Sequence, residues 1–263
     1  MNQSRLMHSG VQATGQKNGG HVMSKNIAVI FAGGSGVRMG AGKPKQFLEI
    51  DGRPIIIYTL DIFEDHPLID EIYIACKEDY IGKMEKLVKR YGISKVKAIV
   101  PGGTTALGSQ YNGLVAAKAE NEDDAIVLIH DGVRPCINES LINDVIEMTK
   151  EKGAVATCTP MFETPVLSIG GAIVEDSPKR SHCYTAQAPQ CFRLGDILEA
   201  HEKVRGDNPE YVDIVDSCTL LRSIGRDVAI LKGPRSNIKV TTPEDLYIFK
   251  AMLEYKRNKD NLG

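Results

Sequence analysis

Short apolar runs alternate with amphipathic segments along most of the chain. The runs have the length and branched composition of buried parallel strands, and they occupy residues 27–31, 71–76, 95–100, 125–129, 154–159 and 228–231. Segments with one apolar helical face lie among them, at residues 55–63, 80–91, 109–119 and 141–152, with a last helix after residue 242. For a single apolar run, periodicity alone does not distinguish a buried strand from a buried helix. The alternation as a whole predicts an α/β fold with a doubly wound, mixed but mostly parallel sheet.

Two stretches interrupt this alternation. Residues 47–52 end in the turn dipeptide Asp51-Gly52, which predicts a short hairpin-like excursion. Residues 160–182 contain a Gly170-Gly171 turn between apolar runs, which predicts a β-hairpin arm that projects from the sheet. A lone hairpin is marginally stable in water, so the arm should pack on something, plausibly a second subunit. A solvated loop is the alternative.

Length and composition are those of an ordinary soluble globular protein. With 263 residues, 42% of them hydrophobic, the chain can form one large domain, expected at residues 24–258. The formal net charge of −2 gives no general attraction to nucleic acid or to a membrane. The six cysteines include no Cys-x-x-Cys pair, which argues against a structural metal site. Residues 1–23 are polar, which predicts a disordered leader or sequence upstream of Met23, and a cytoplasmic protein.

The loop after the first predicted strand is a candidate phosphate-binding loop. Its backbone is almost bare over Ala32, Gly33, Gly34, Ser35 and Gly36. Such a loop can bring successive N–H groups against phosphate oxygens, although a plain tight turn would have the same composition. Arg38 and Lys45 add cations nearby, which favours a polyanion such as a triphosphate. Neither a Walker loop nor the G-x-G-x-x-G dinucleotide fingerprint matches the spacing.

A second motif, His130-Asp131-Gly132-Val133-Arg134-Pro135, follows the run at residues 125–129. A carboxylate at the carboxyl end of a strand is well placed to hold Mg²⁺ against substrate phosphates. Alternatively, Asp131 caps the next turn and pairs with Arg134. Ligands of doubly wound sheets bind beyond the carboxyl ends of the strands, so the loops that start at Ala32, Pro101 and His130 should share one crevice. Substitutions in such loops are expected to leave the fold intact.

The motifs A-G-G-x-G-x-R-M-G, P-K-Q and I-H-D-x-x-R-P together resemble the sugar-nucleotide pyrophosphorylase superfamily, over about residues 26–255. Within it they are similar to the cytidylyltransferases for methylerythritol phosphate and ribitol phosphate. The resemblance implies a Rossmann-like nucleotidyltransferase fold, Mg²⁺ as cofactor and a homodimer built with the arm. It also implies that the protein catalyses the reaction of CTP with a polyol phosphate, which gives a CDP-polyol and pyrophosphate. D-ribitol 5-phosphate is the expected acceptor, with 2-C-methyl-D-erythritol 4-phosphate or another sugar phosphate as alternatives.

The resemblance also implies roles for individual residues. The expected catalytic cations are Arg38, Lys45 and Lys239. The expected nucleotide-binding residues are Ala32, Gly33, Gly34, Gly36, Gly103, Thr104 and Ser109, of which the last three would recognise cytosine. Asp131 would be the metal ligand, whereas His130 is interpreted as structural. Arg134 would bind the acceptor, together with Thr164 and Arg180 from the arm of the neighbouring protomer.

Further positions bear on the choice of acceptor. His182, Tyr184, Cys218 and Thr242 resemble the ribitol-phosphate group, and Asp216 lies at an expected acidic position. Two residues depart from the family pattern. Ala106 stands where G-G-x-x-R-x-x-S has Arg, and Ala188 stands where Thr commonly precedes Pro-Gln. A non-catalytic nucleotide-binding protein would be expected to have lost Lys45, Asp131 or Lys239, and all three are present.

Overall fold

The structure is a computed structural model and describes residues 24–34 and 44–262. The predictions for residues 1–23, Gly36 and Arg38 therefore lie outside the described residues. Among the helices that are described, none has the length and apolar character needed to cross a membrane.

A mixed sheet of seven strands forms the centre of the described part of the chain. The strands in chain order are β1 (Asn26–Ala32), β2 (Glu49–Ile50), β3 (Arg53–Pro54), β4 (Glu71–Cys76), β5 (Val96–Pro101), β6 (Ile126–Asp131), β7 (Ala154–Pro160), β8 (Tyr184–Arg193) and β9 (Ala229–Lys232). In the large sheet the order is β5-β4-β1-β6-β8-β7-β9. β8 runs antiparallel to both β6 and β7, whereas the other neighbouring pairs are parallel. The predicted mixed, mostly parallel sheet is confirmed.

Seven helices are described: α1 (Ile55–Glu64), α2 (Ile81–Tyr91), α3 (Ala106–Lys118), α4 (Glu139–Lys152), α5 (Leu194–Asp207), α6 (Ser217–Ser223) and α7 (Pro243–Leu262). The helix predicted at residues 80–91 is present as α2, and Gly92 ends it with a φ of 69° that suits glycine. The predicted start of α3 at residue 109 was three residues late. The helix begins at Ala106 because the Thr105 side chain accepts a hydrogen bond from the Gly108 N–H at 2.9 Å and caps it.

The hydrophobic core lies on both faces of the sheet. Ala28 and Ile30 of β1 pack with residues of α1, α2 and α4, whereas Ile27 and Val29 pack with residues of α3, α5 and α6. All four side chains are fully buried, and burying one large apolar side chain contributes about 1.5–3 kcal/mol. At Gly113, an added Cβ would lie 2.7 Å from the Val29 Cγ1. This close approach holds α3 against β1 and brings its N-terminus to the carboxyl edge of the sheet.

The two predicted interruptions are present. β2 and β3 pair antiparallel across a turn in which Asp51 and Gly52 both have positive φ, 52° and 74°. The arm between β7 and β8 reverses direction near Gly171, where φ is 70°. Its ladder consists of one isolated antiparallel bridge between Leu167 and Asp176, so it is a minimal hairpin. Its apolar side chains stay exposed within this chain, among them Ile169 at 96%.

Candidate active site

A cleft of about 400 Å³ lies at the carboxyl ends of β1, β4, β5 and β6. Its lining includes every described residue that was expected to bind the nucleotide or act in catalysis, together with the expected metal ligand: Ala32, Gly33, Gly34, Lys45, Gly103, Thr104, Ser109, Lys239 and Asp131. The loops after β1, β5 and β6 thus share one crevice, as expected from the strand–helix alternation.

The two glycine-rich loops of the cleft, the loop after β1 with Gly33 and Gly34 and the loop after β5 with Gly102 and Gly103, both pack closely against the first turn of α3. A Cβ added to Gly33 would lie 3.1 Å from the Ser109 Oγ, and one added to Gly103 would lie 2.6 Å from the Gly108 carbonyl carbon. The Ser109 hydroxyl accepts a hydrogen bond from the Gly103 N–H at 3.1 Å and donates one to the Thr105 carbonyl at 3.0 Å. Ser109 is 2% exposed, and its two hydrogen bonds fix the loop between Gly103 and the start of α3.

Lys45 is held beside the first glycine loop by a short 3-10 helix, Lys45–Phe47. An added Cβ at Gly34 would lie 3.5 Å from the Lys45 Cε, which places this side chain over the loop. The next residue, Gln46, is 1% exposed and donates a hydrogen bond from Nε2 to the Ala32 carbonyl at 2.7 Å. The sequence contained Gln46 within P-K-Q, and the structure shows that it ties Lys45 to the end of β1.

Three charged side chains meet at the floor of the cleft. The Asp131 carboxylate is bound by Lys239 Nζ at 2.5 Å on Oδ1 and by Arg134 Nε at 3.2 Å on Oδ2. Asp131 is 5% exposed and Arg134 8%. Burial opposes the ionisation of Asp131, but the charges of Lys239 and Arg134 outweigh it and lower its pKa. The carboxylate is therefore ionised at neutral pH.

The surroundings of Asp131 correct two expectations. β6 extends through Asp131, so this residue ends a buried strand and the predicted strand end at residue 129 was two residues short. The pairing of Asp131 with Arg134, which the sequence left open as an alternative, is present. Removing the carboxylate would leave buried cationic charge without its partner, which is destabilising. In contrast to the expectation from the sequence, substitution of Asp131 is therefore expected to destabilise the fold.

The donor set around Asp131 limits the kind of metal site that this cleft can form. The described residues contain no group of three or more His, Cys, Asp or Glu side chains able to hold a metal ion. Mg²⁺ is commonly bound by one or two carboxylates together with substrate phosphates and water. Asp131 fits that pattern as a single protein ligand, provided that its Lys239 partner turns to the substrate.

His130 has the features of a structural residue. It is fully buried, its Nε2 lies 3.0 Å from the Arg134 carbonyl oxygen, and its ring packs against Phe63 with 5.2 Å between ring centroids. Burial lowers its pKa to about 4, so it is neutral at pH 7. The ring supports the turn that carries Arg134.

A second cavity, of about 150 Å³, joins the cleft. The two share Phe31, Ala106, Asp131 and Lys239 as lining residues. The remaining lining of the second cavity includes Arg134, Ala188, Gln190 and Asp216. A ligand in each cavity would therefore meet the other at the Asp131–Lys239 pair.

Gln190 organises the far wall of this second cavity. Its Nε2 donates to the Asp216 Oδ2 at 2.9 Å, and its Oε1 accepts from the Cys218 N–H at 3.1 Å. Asp216 also caps α6 by accepting from the Thr219 N–H. Ala188 lines this cavity at the position where the family pattern commonly has Thr.

Thr164 and Arg180 lie outside both cavities of their own chain. Both side chains are exposed, and Arg180 Nη1 donates to the Phe162 carbonyl at 3.0 Å. The Phe162 ring also faces the Arg235 guanidinium, 3.9 Å from the ring centroid, which anchors the base of the arm. Within one chain, the structure does not bring Thr164 or Arg180 to the cleft.

Several residues of the site were not singled out by sequence reasoning. Asn237 is fully buried, donates to the Ala188 carbonyl at 2.7 Å, and accepts at its own carbonyl from Arg134 Nη1 at 2.7 Å. It links the C-terminal loop, the second cavity and Arg134. Lys77 lines the cleft directly after β4. The rule that ligands bind beyond the carboxyl ends of strands would have found Lys77.

Comparisons with known proteins agree with this geometry. The sequence model of the IspD family, 2-C-methyl-D-erythritol 4-phosphate cytidylyltransferase, matches residues 26–255. The ribitol-5-phosphate cytidylyltransferase of Streptococcus agalactiae serotype V is 44% identical over 90% of this chain and 99% of that protein. The 2-C-methyl-D-erythritol 4-phosphate cytidylyltransferase of Clostridium botulinum (Loch Maree) is 39% identical over 88% of this chain and 99% of that one. The 4-diphosphocytidyl-2C-methyl-D-erythritol synthase of Anaerococcus prevotii superposes with a TM-score of 0.75 at 30% identity, covering 88% of this chain and 96% of that one.

Proposed function

Since the chain belongs to the IspD family of cytidylyltransferases, we propose that it transfers the cytidylyl group of CTP to D-ribitol 5-phosphate. A phosphate oxygen of the polyol phosphate attacks the α-phosphorus of CTP and forms a new P–O bond. The bond from the α-phosphorus to the bridging oxygen breaks, and pyrophosphate leaves with that electron pair. The products are a CDP-polyol and pyrophosphate.

The observation that carries this proposal is the junction of the two cavities at Asp131 and Lys239. The larger cavity, lined by the glycine loops, would take CTP, and the smaller one the acceptor. Their junction is then the place where the attacking oxygen and the α-phosphorus meet. Because no covalent enzyme intermediate is required, positioning and charge stabilisation carry the rate acceleration.

The four cations that the sequence motifs contain each have a role in this reaction. Lys45 and Lys239 neutralise the charge that grows on the α-phosphate, and Arg38 screens the leaving pyrophosphate. Arg134 is fixed by Asp131 and by the Asn237 carbonyl, so its guanidinium can orient the acceptor at the wall of the second cavity. Mg²⁺, held by Asp131 and the triphosphate, would supply further charge neutralisation.

The arm completes the acceptor site in a homodimer. Thr164 and Arg180 are exposed and line neither the cleft nor the second cavity of their own chain, and the arm's apolar side chains are unburied as well. Docking of the arm on a second copy would bury those side chains and bring Arg180 to the acceptor phosphate of the partner. An Arg–phosphate contact is strong and directional, which suits that role.

The choice of ribitol 5-phosphate rests on likeness to relatives and on four residues. Identity is 44% to the ribitol-5-phosphate enzyme and 39% to the methylerythritol-phosphate enzyme, over similar shares of the chain. His182, Tyr184, Cys218 and Thr242 resemble the ribitol-phosphate group, and Cys218 adjoins the second cavity through its hydrogen bond to Gln190. The second candidate acceptor is 2-C-methyl-D-erythritol 4-phosphate, which the matching family model names.

Nucleotide choice tests the reaction class. With ribitol 5-phosphate as acceptor, we expect pyrophosphate release with CTP and little with UTP, ATP or GTP, because the loop from Gly103 to Ser109 forms a close wall for one base. Initial rates of pyrophosphate release with each nucleotide, at equal concentration and with MgCl₂, provide the measurement. A higher kcat/KM with UTP than with CTP would assign the protein to a different nucleotidyltransferase reaction.

A further inference from the structure

Lys77 is a cation of the cleft to which neither the motifs nor the proposed mechanism gives a role. It directly follows the last residue of β4, and β4 lies between β5 and β1 in the sheet. Neighbouring strands are spaced by about 4.8 Å, so the end of β4 lies about one strand spacing from the end of β1 and from the end of β5, where the two glycine-rich loops begin. Lys77 accordingly lines the cleft together with Gly33, Gly34 and Gly103.

The charge balance of the cleft favours an anionic partner for Lys77. Asp131 is the acidic side chain among the described lining residues of the cleft, and its two oxygens are already bound by Lys239 and Arg134. Across residues 24–34 and 44–262, no carboxylate forms an ion pair with Lys77. An exposed ammonium group beside glycine loops is suited to bind phosphate as a point charge.

The same cleft lacks a cation that the family pattern would provide. Ala106 stands at the Arg position of G-G-x-x-R-x-x-S, and the structure places it at the first turn of α3, exposed and lining both cavities. Lys77 and Ala106 thus lie in the lining of one cleft, the first on a strand end and the second on a helix start. A long side chain from either position can reach into that space.

We propose that Lys77 binds the triphosphate of CTP and provides, from the end of β4, the positive charge that is missing at Ala106. This inference rests on the proposed function, because it takes CTP as the ligand. It makes Lys77 a nucleotide-binding residue for the β- and γ-phosphates rather than for the base, because Lys77 lines the cleft together with Gly33 and Gly34 of the candidate phosphate-binding loop.

Binding measurements on Lys77→Ala test this assignment. We expect its Kd for CTP, measured by isothermal titration calorimetry, to rise about 10- to 100-fold, the range for loss of a charged hydrogen bond. The Kd for CMP, which lacks the β- and γ-phosphates, should change less than about twofold, since the charge contact is absent there. Lys97→Ala is the matched control, because Lys97 is an exposed lysine of β5 that lines a separate groove with α2. An unchanged Kd for CTP, or an equal loss for CMP and CTP, would overturn the assignment.

The double variant Lys77→Ala/Ala106→Arg tests the replacement directly. If the two positions provide the same charge, the added arginine should restore most of the CTP affinity that Lys77→Ala loses, whereas Lys97→Ala/Ala106→Arg provides the background effect of the arginine. If Lys77→Arg keeps the wild-type affinity for CTP but the double variant binds CTP as weakly as Lys77→Ala, the idea that Lys77 replaces the arginine is wrong. Turnover of the wild-type protein with CTP is measured in parallel. Its absence would contradict the proposed function itself, independently of how the Lys77 variants bind.

Discussion

Replacing Asp131 by alanine is expected to remove almost all turnover and also to destabilise the fold. The carboxylate is 5% exposed and is the partner of both Arg134 and Lys239. Breaking a buried ion pair by removing one partner typically costs about 3–5 kcal/mol. Loss of a preorganised charge contact at the reacting centre typically lowers kcat by about 10²–10³-fold. Urea unfolding and pyrophosphate release on the same preparation measure the two effects.

The variant Lys239→Ala distinguishes the loss of turnover from the loss of stability that are both expected for Asp131→Ala. Its side chain is 40% exposed, and Asp131 would keep Arg134 as a partner, so the variant should lose turnover by a similar factor with a much smaller loss of stability. Lys250→Ala, an exposed lysine on α7, serves as the control. If Asp131→Ala is as stable as the wild type, the buried charge cluster does not support the fold as described.

The pH dependence of stability gives an independent check on Asp131. Its pKa is lowered in the folded protein, so its contribution is present above the pKa of the unfolded chain. That contribution is lost as the pH falls through the folded pKa. The wild-type protein should therefore lose its stability advantage over Asp131→Ala at acidic pH.

Mixing two inactive variants is expected to restore activity if the arm acts across a dimer. Lys45→Ala removes a cation from the cleft of its own chain, and Arg180→Ala removes the arginine that would reach the partner's acceptor. In a mixed dimer one site receives both lesions and the other receives neither. With random pairing half of the dimers are mixed, so co-refolding at equal amounts should restore up to about a quarter of the wild-type activity.

The outcome of co-refolding separates two roles of Arg180. Arg180→Ala alone should lower the affinity for the acceptor and leave the affinity for CTP nearly unchanged, because the Arg180 guanidinium would contact the acceptor phosphate. Wild-type chains refolded in the same way provide the control for recovery. If the mixture stays inactive while the wild type recovers, Arg180 acts within its own chain or only supports the arm, where it already binds the Phe162 carbonyl.

Sequence reasoning predicted the elements whose signals are local. The apolar runs that became β1, β4 and β6 are buried on both faces, so their pattern is a continuous apolar stretch. The crevice followed from the topology, since parallel strands end at one edge. The glycine loop and the Asp131 motif were placed there without knowledge of any contact.

Other features depend on tertiary contacts that the sequence does not encode locally. β8 has no separate apolar run at its start, because its first residues are exposed beside the arm and only the later ones are buried. The buried Asp131 carboxylate forms an ion pair with Lys239, which is distant in the chain and reaches it from the loop after β9. Lys77 was missed because a lysine after a strand is usually a solvated surface residue. Its place after the run at residues 71–76 already put it at the carboxyl edge of the sheet, and the strand order adds that it lies between the two glycine-rich loops.

The acceptor is the most direct test of the proposed function. Initial rates of pyrophosphate release with CTP and MgCl₂ should be compared for ribitol 5-phosphate and 2-C-methyl-D-erythritol 4-phosphate, each varied over its own concentration range. We expect a higher kcat/KM for ribitol 5-phosphate, with CDP-ribitol as the product. A higher kcat/KM for 2-C-methyl-D-erythritol 4-phosphate would contradict the proposed acceptor, and no pyrophosphate release with either would contradict cytidylyl transfer to these polyol phosphates.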